Sequence, residues 1–455
     1  MPPEIRAQPE SSVSFVLPPT VVSETMVENT FSQHNPVRRS ILKPPTFRFH
    51  FLIPPDTGSI TPLPKDLTNR IPLEILHHCI DFLHYDKDTL RSCALVCKSW
   101  QARARPLLLP KKLTLVIRNQ TGGEIFSMIA APGSGLANFV HTLSIQSTAI
   151  FNIHPPQHTD TEPTFPTISF NEYLLPFVGN CHALRTLIFQ GIQIPPRPSK
   201  NTSAIPSQIK VFPHLTRLEL TRCAFWTFEE LLLVICARRS LQELFLTDIS
   251  VLKWLPDQPP PESLHLPRRL HTLHMNTPGQ TLLLTWILSR PFVPPLKAVS
   301  LGGVKGTKDQ KVIGLFLKAL GPNLEQLKLN LVRATHEVNL AHNTALQSLS
   351  ISHYLIGKVA SENISPTGGL VKILRQITST KVTKIDLHFV NAPQDLMLMP
   401  WSAVAEELNA PKFSGLKTVR LGLAGKKSRW EDGFRMVFPR LSANRILKIL
   451  WDSSA

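Results

Sequence analysis

From residue 111 onward the apolar positions fall into a repeating phrase, apolar-x-x-apolar-x-apolar. Its ten copies start at Val140, Leu184, Leu215, Leu241, Leu270, Leu296, Leu324, Leu346, Val382 and Leu416. The clearest is Leu241-Gln-Glu-Leu244-Phe-Leu246. The alternation that ends each copy predicts a strand with one buried and one open face, because successive side chains point to opposite faces. Helical spacing returns between strands, at Phe228 to Ala237, Lys311 to Leu320 and Leu370 to Ile377. A strand-helix unit cannot cover its own apolar face, so repeated units stack and share one core. The expected build is mixed α/β, a curved solenoid with a parallel sheet on its concave side. An ordinary α/β domain with irregular strands would show such hexapeptides singly. Ten copies, each leading out of a turn or helix end, favour the array.

Residues 61–110 read differently. Pro72 suits the first position of a helix, where no backbone N–H is needed. Glu74 suits the positive end of the helix dipole. Ile75, Leu76, Cys79, Ile80 and Leu83 then make one apolar face at helical spacing. Asp86 and Asp88 interrupt it and can cap a second helix. That helix places Leu90, Cys93, Ala94 and Cys97 on one side, with Val96 and Trp100 four apart on another. Pro106 is expected to end the run.

Residues 1–60 are rich in Pro, Ser and Thr, show no sustained period and read as a disordered tail. Arg38-Arg39-Ser40 within it is taken as an incidental basic pair. The expected division is a tail over 1–60, a helical module over 61–110 and the array over 111–455. Charge changes the picture of the array alone. The chain holds 49 Lys and Arg against 32 Asp and Glu, a net +17. Neither the tail nor the module accounts for more than a small part of that surplus. A basic surface favours acidic partners. The six scattered cysteines suit reduced thiols in an intracellular protein better than a disulfide scaffold. No signal-peptide pattern opens the chain. No apolar run reaches the roughly 20 residues that a membrane span needs. The expectation is a soluble protein of the cytoplasm or nucleus with no membrane partner.

Residues 71–110 resemble the F-box family. The match runs through Ile71-Pro72-Leu73-Glu74-Ile75-Leu76, then Ile80, Leu83, Asp88 and Leu90, and ends on Leu95-Val96-Cys97-Lys98-Ser99-Trp100. The family pattern is an L-P-x-E-hydrophobic start followed later by V-C-[KR]-x-W; Ile71 stands where Leu is usual. Leu113-Thr-Leu115 resembles the lead into the repeat domain of many fungal F-box proteins. The array itself resembles a leucine-rich-repeat domain, whose period is about 20–29 residues, with insertions between the outer copies. The resemblance implies a three-helix module docked on a Skp-type adaptor, which in turn binds a cullin scaffold. Carried over by position, Pro72, Ile75, Leu76, Ile80, Leu83, Leu90, Val96 and Trp100 supply its adaptor-facing and packing residues. About 40 residues bury too little surface to be stable alone, which fits a module that needs a partner. The implied role is the substrate-recruiting subunit of a ubiquitin ligase; the alternative is a non-ligase repeat scaffold.

An unknown protein target would then meet the open positions of the array. Those expected to touch it are Arg185, Arg217, Phe245, His274, Lys297, Lys328, Lys384 and Arg420. Open acidic positions, among them Glu219, Glu243, Glu325 and Asp386, offset much of their charge. The Pro-rich insertions 146–183 and 190–214 could add a binding edge. Catalytic patterns are missing from the sequence. Gly302-Gly303 lacks the spacing and the Lys-Ser/Thr of a phosphate loop. His77-His78-Cys79 begins no zinc spacing, and Cys93 and Cys97 fall inside the helical pattern. His271 and His274 are three apart in a strand and point to opposite faces. No enzyme activity, cofactor or metal is expected. A 7% aromatic content and the lack of a nucleic-acid motif argue against a nucleic-acid partner despite the charge.

Overall fold

The computed structural model describes residues 71–108, 112–117, 136–147, 181–192, 209–210, 212–253, 263–304, 307–331, 337–354, 368–389, 399–424 and 430–452. The tail and most of the two Pro-rich insertions lie outside these residues.

Among the described residues three helices come first. α1 spans Leu73–Phe82 and starts on the carbonyl of Pro72, which accepts the N–H groups of Ile75 and Leu76. Pro72 is the cap, so the helix starts one residue later than expected. A single 3₁₀ turn, Leu83–Tyr85, leads to Asp86. The Asp86 carboxylate accepts the N–H groups of Asp88 and Thr89 at 3.2 and 3.1 Å and caps α2 (Lys87–Val96). Asp86 therefore does the capping expected of it, and Asp88 sits in the first turn. α2 stops at Cys97, whose backbone is extended at φ −159°, ψ 166°. α3 (Lys98–Leu108) follows. Val96 and Trp100 thus lie on different helices, not on one face. Cys97 is exposed at the break instead of lining the side that holds Leu90 and Cys93. α3 also runs two residues past Pro106. A proline removes one backbone donor, and near a helix end that loss interrupts little of the ladder.

The array follows the repeat. Twelve strands pair side by side in one sheet, every neighbouring pair parallel. They are β1 (Lys112–Ile117), β2 (Thr142–Ser147), β3 (Thr186–Gln190), β4 (Arg217–Thr221), β6 (Glu243–Thr247), β8 (Thr272–Asn276), β9 (Ala298–Val304), β10 (Gln326–Leu331), β11 (Ser348–Tyr354), β12 (Lys384–Phe389), β13 (Thr418–Ala424) and β14 (Leu447–Asp452). Two short strands, β5 (Ala224–Thr227) and β7 (Ser250–Lys253), form a separate parallel pair. All ten copies of the phrase lie on this sheet, and all three apolar positions of every copy are buried.

The joints between units repeat as closely as the side chains do. The carbonyl of the second residue of each copy accepts two N–H groups from the second and third residues of the next. His141 holds Arg185 and Thr186, Arg185 holds Thr216 and Arg217, and the pattern continues to Thr383, which holds Lys417 and Thr418. Bonding this regular in a parallel ladder is what stacked identical units require. The chain leaves β3, β4 and β6 through Gly191, Arg222 and Asp248, and β9 carries Gly303 next to its last residue, all at positive φ and each seven residues after its unit starts.

Helices carry the chain between strands. They are α4 (Phe228–Cys236), α5 (Gln280–Leu288), α6 (Thr307–Leu320), α7 (Gly368–Gln376), α8 (Trp401–Leu408), α9 (Trp430–Val437) and α10 (Pro439–Ala443). α4 starts with a reciprocal cap: Thr227 Oγ1 accepts the Glu230 N–H at 3.3 Å and Glu230 accepts the Thr227 N–H at 3.2 Å. Leu232, Leu284, Phe316, Leu374 and Val404 from these helices join the inward strand residues in one core. The N-terminal helices keep a separate small core of Ile80, Leu90, Cys93 and Ala104, with Leu83 and Trp100 packed at its margin. Among the described residues no helix is long and apolar enough to cross a membrane.

Candidate interaction surfaces

The N-terminal helices leave much of their apolar surface in solvent. Ile71, Leu73, Ile75, Phe82, Tyr85, Leu95 and Val96 are 40–89% exposed, all within residues 71–96. The described residues of the far longer array expose Leu252, Leu282, Phe292, Leu315, Met436 and Leu450, spread from residue 252 to residue 450. Isolated exposures are ordinary; a concentration of them marks a contact surface.

The eight residues carried over for an adaptor divide into three kinds. Ile80 and Leu90 are fully covered by the module itself. Leu76, Leu83 and Trp100 are half-buried, the last two against that small core. Pro72, Ile75 and Val96 are exposed. Ile71, Leu73, Phe82, Tyr85 and Leu95 share that exposure and were not among the residues carried over. Leu95 stands just before the V-C-K-S-W signature, in the last turn of α2. The module is braced by Arg103, whose guanidinium grips both oxygens of Asp81, with Nε at 2.7 Å from Oδ1. That fork holds the Asp81 carboxyl below the usual carboxylate range.

The second surface is the open face of the sheet. In β4, β6 and β8 the residues between buried positions are half-exposed, as the alternation requires. Arg217 on β4 is held by Glu219 and Glu243, each at 3.2 Å, and lies 4.1 Å above the ring of Phe245. Phe245 meets His274 with ring centroids 5.8 Å apart. Three of the expected target-contacting residues thus form one patch across three neighbouring strands. Burial holds the His274 imidazole below its ordinary pKa. The Lys328 charge adds to this and Glu219 opposes it. Lys384 pairs with the buried Asp386 at 2.7 Å, and Arg420 approaches the same carboxylate at 3.9 Å. Lys328 is exposed.

Arg185 and Lys297 are not on strands. Each unit enters its strand one residue later than the repeat suggests, because the carbonyl of the second residue makes the joint described above. Both side chains are exposed beside the start of a strand, Lys297 in a pair with Glu325 at 3.3 Å. The same shift puts His271 just before β8, apart from His274 on its open face.

Among the described residues no group of three or more His, Cys, Asp or Glu could hold a metal ion. Burial pushes the thiols of Cys181, Cys223 and Cys236 up to about 12, so they stay protonated at neutral pH. Both surfaces are equipped for binding: exposed aliphatic groups on one, and fixed cations with an aromatic ring on the other.

No protein-family model matches the sequence, and no curated protein matches it. Among solved structures, a leucine-rich-repeat protein of Leptospira interrogans is similar over 76% of this chain and 91% of its own, at 14% identity and a TM-score of 0.27. So loose a superposition adds nothing to what the strand order and the joints establish, a leucine-rich-repeat-like array.

Proposed function

We propose that the protein is a substrate receptor of a cullin-type ubiquitin ligase. In this reading the N-terminal helices are an F-box that docks on a Skp-type adaptor, and the array holds a protein target on its open face. The observation that carries it is the contrast in exposure. Seven large apolar side chains stand in solvent on the short module, while the array buries every apolar position of its repeat. Aliphatic and aromatic anchors of this kind form the centres of protein interfaces. The receptor supplies no reacting group. It raises the local concentration of the target, so that ubiquitin transfer becomes effectively intramolecular.

The test is co-precipitation of the full-length protein with a purified Skp-type adaptor and cullin. The informative variant is Ile75→Ser, Leu95→Ser, Val96→Ser, because all three residues are exposed and its fold should persist by circular dichroism. Trp100 is a poorer choice, since it packs on the module's core. Capture of the adaptor by the intact protein and at least a tenfold loss in the variant supports the receptor. No capture by the intact, folded protein leaves a non-ligase scaffold.

A further inference from the structure

The open face is unevenly charged. Through β8, the described strand positions and the residues just before them hold Lys112, Arg185 and Arg217 against Glu219 and Glu243, a surplus of one. From β9 to β14 the strand positions hold Lys328, Lys384, Arg420 and Lys448 against Asp386 and, at the end of β14, Asp452. The residues preceding those strands add Lys297, Lys417 and Arg445 against Glu325. Among the described residues most of the surplus of the face therefore sits on its second half. Asp386 is buried and already engaged by Lys384, and Glu325 is engaged by Lys297. Among the described residues no carboxylate lies within ion-pair distance of Lys328 or Lys448, both exposed.

The surroundings of Lys328 leave it accessible. The register sets it between Ser300 and Ser350 on the two neighbouring strands. Short hydroxyl side chains leave room beside the ammonium and can donate to an anion.

We infer that β9 to β14 of the open face bind an acidic peptide segment of the target, its carboxylates meeting Lys328, Arg420 and Lys448. This rests on the open face being the recognition surface, as proposed above. Neighbouring strands lie about 4.8 Å apart, so Lys328 on β10 and Arg420 on β13 stand roughly 14 Å apart, and Lys448 one strand farther. An extended peptide advances about 3.4 Å per residue. It reaches the first two cations with acidic residues about four apart, and the third with one more acid one or two residues on. Asp386, set between them, would repel a continuous polyanion. None of the residues flanking Lys328, Asp386 or Arg420 in the register is Phe, Tyr or Trp. Single-stranded nucleic acid favours such stacking platforms, so a peptide fits this face better.

The experiment is fluorescence anisotropy with the full-length protein and a labelled Gly/Ser peptide carrying Glu at positions 1, 5 and 6. Binding should weaken as salt rises. Lys328→Ser with Lys448→Ser should lower affinity at least tenfold with an unchanged melting curve. Arg185→Ser, also exposed but on the first half of the face, should change it less than twofold. No binding overturns the inference, and so does an equal loss in Arg185→Ser. Tighter binding of a single-stranded oligonucleotide through the same two lysines overturns it as well and makes the face a nucleic-acid surface. The assay contains no adaptor, so its failure and that of the receptor reading are read separately.

Discussion

The N-terminal helices and the repeat array treat apolar surface in opposite ways. The array buries all three apolar positions of each of the ten copies of its phrase, and one joint of backbone hydrogen bonds links each copy to the next. The helical module has a core centred on four buried residues and leaves seven large apolar side chains outside it. A stack of units completes itself, because each neighbour covers the face that the last one opens. A module of about 40 residues cannot do this alone. Its leftover surface is intelligible if a partner covers it. The difference therefore separates residues that hold the fold from residues free to bind.

The sharpest break of this comparison pairs two leucines. Leu244 on β6 is fully buried, and Leu244→Ala should cost about 2–5 kcal/mol, read from the urea midpoint. Leu95 is 88% exposed, and Leu95→Ala should stay within about 0.5 kcal/mol of the parent. Equal costs would erase the distinction between the two regions. Next in size is Asn343, buried in the array, whose Nδ2 donates to the carbonyls of Leu317 and Gly321 at 2.9 and 3.0 Å. Asn343→Ala removes both bonds from the buried site and should cost about 1–3 kcal/mol by the same assay. If it costs nothing, polar groups contribute little to the stack and the apolar phrase alone holds it. The smallest effect is electrostatic. By NMR titration the His274 imidazole should have a midpoint below the ordinary value. Removing the Lys328 charge with Lys328→Ser should raise it, and Glu219→Gln should lower it. No movement in either variant would mean that the patch around Phe245 is isolated from the basic half of the face.

Much of the array was legible because its period is written in side chains. Each copy of the phrase became a strand in the expected orientation. β1 and β14 escaped the count because their units open on Pro110 and Asn444, where the other copies have Leu or Val. α5 was hidden for the opposite reason. Leu282, Leu283, Leu284, Trp286, Ile287 and Leu288 place apolar residues all round the helix, so no face stands out. The module was legible as helices, but its binding face was not. The break at Cys97 puts Val96 and Trp100 on different helices, and nothing in its sequence marks an extended residue there. The charge asymmetry of the open face stayed hidden with β14, since Lys448 and Arg445 count toward it only once that strand is in register.

The central claim is that the helical module meets the adaptor while the array stays free for a target. Hydrogen exchange of the full-length protein, alone and saturated with a Skp-type adaptor, tests it most directly. The account predicts slowed exchange within residues 73–108 and no change across the strands from β3 to β13. Protection on those strands instead, or an adaptor that does not bind the folded protein, would contradict it.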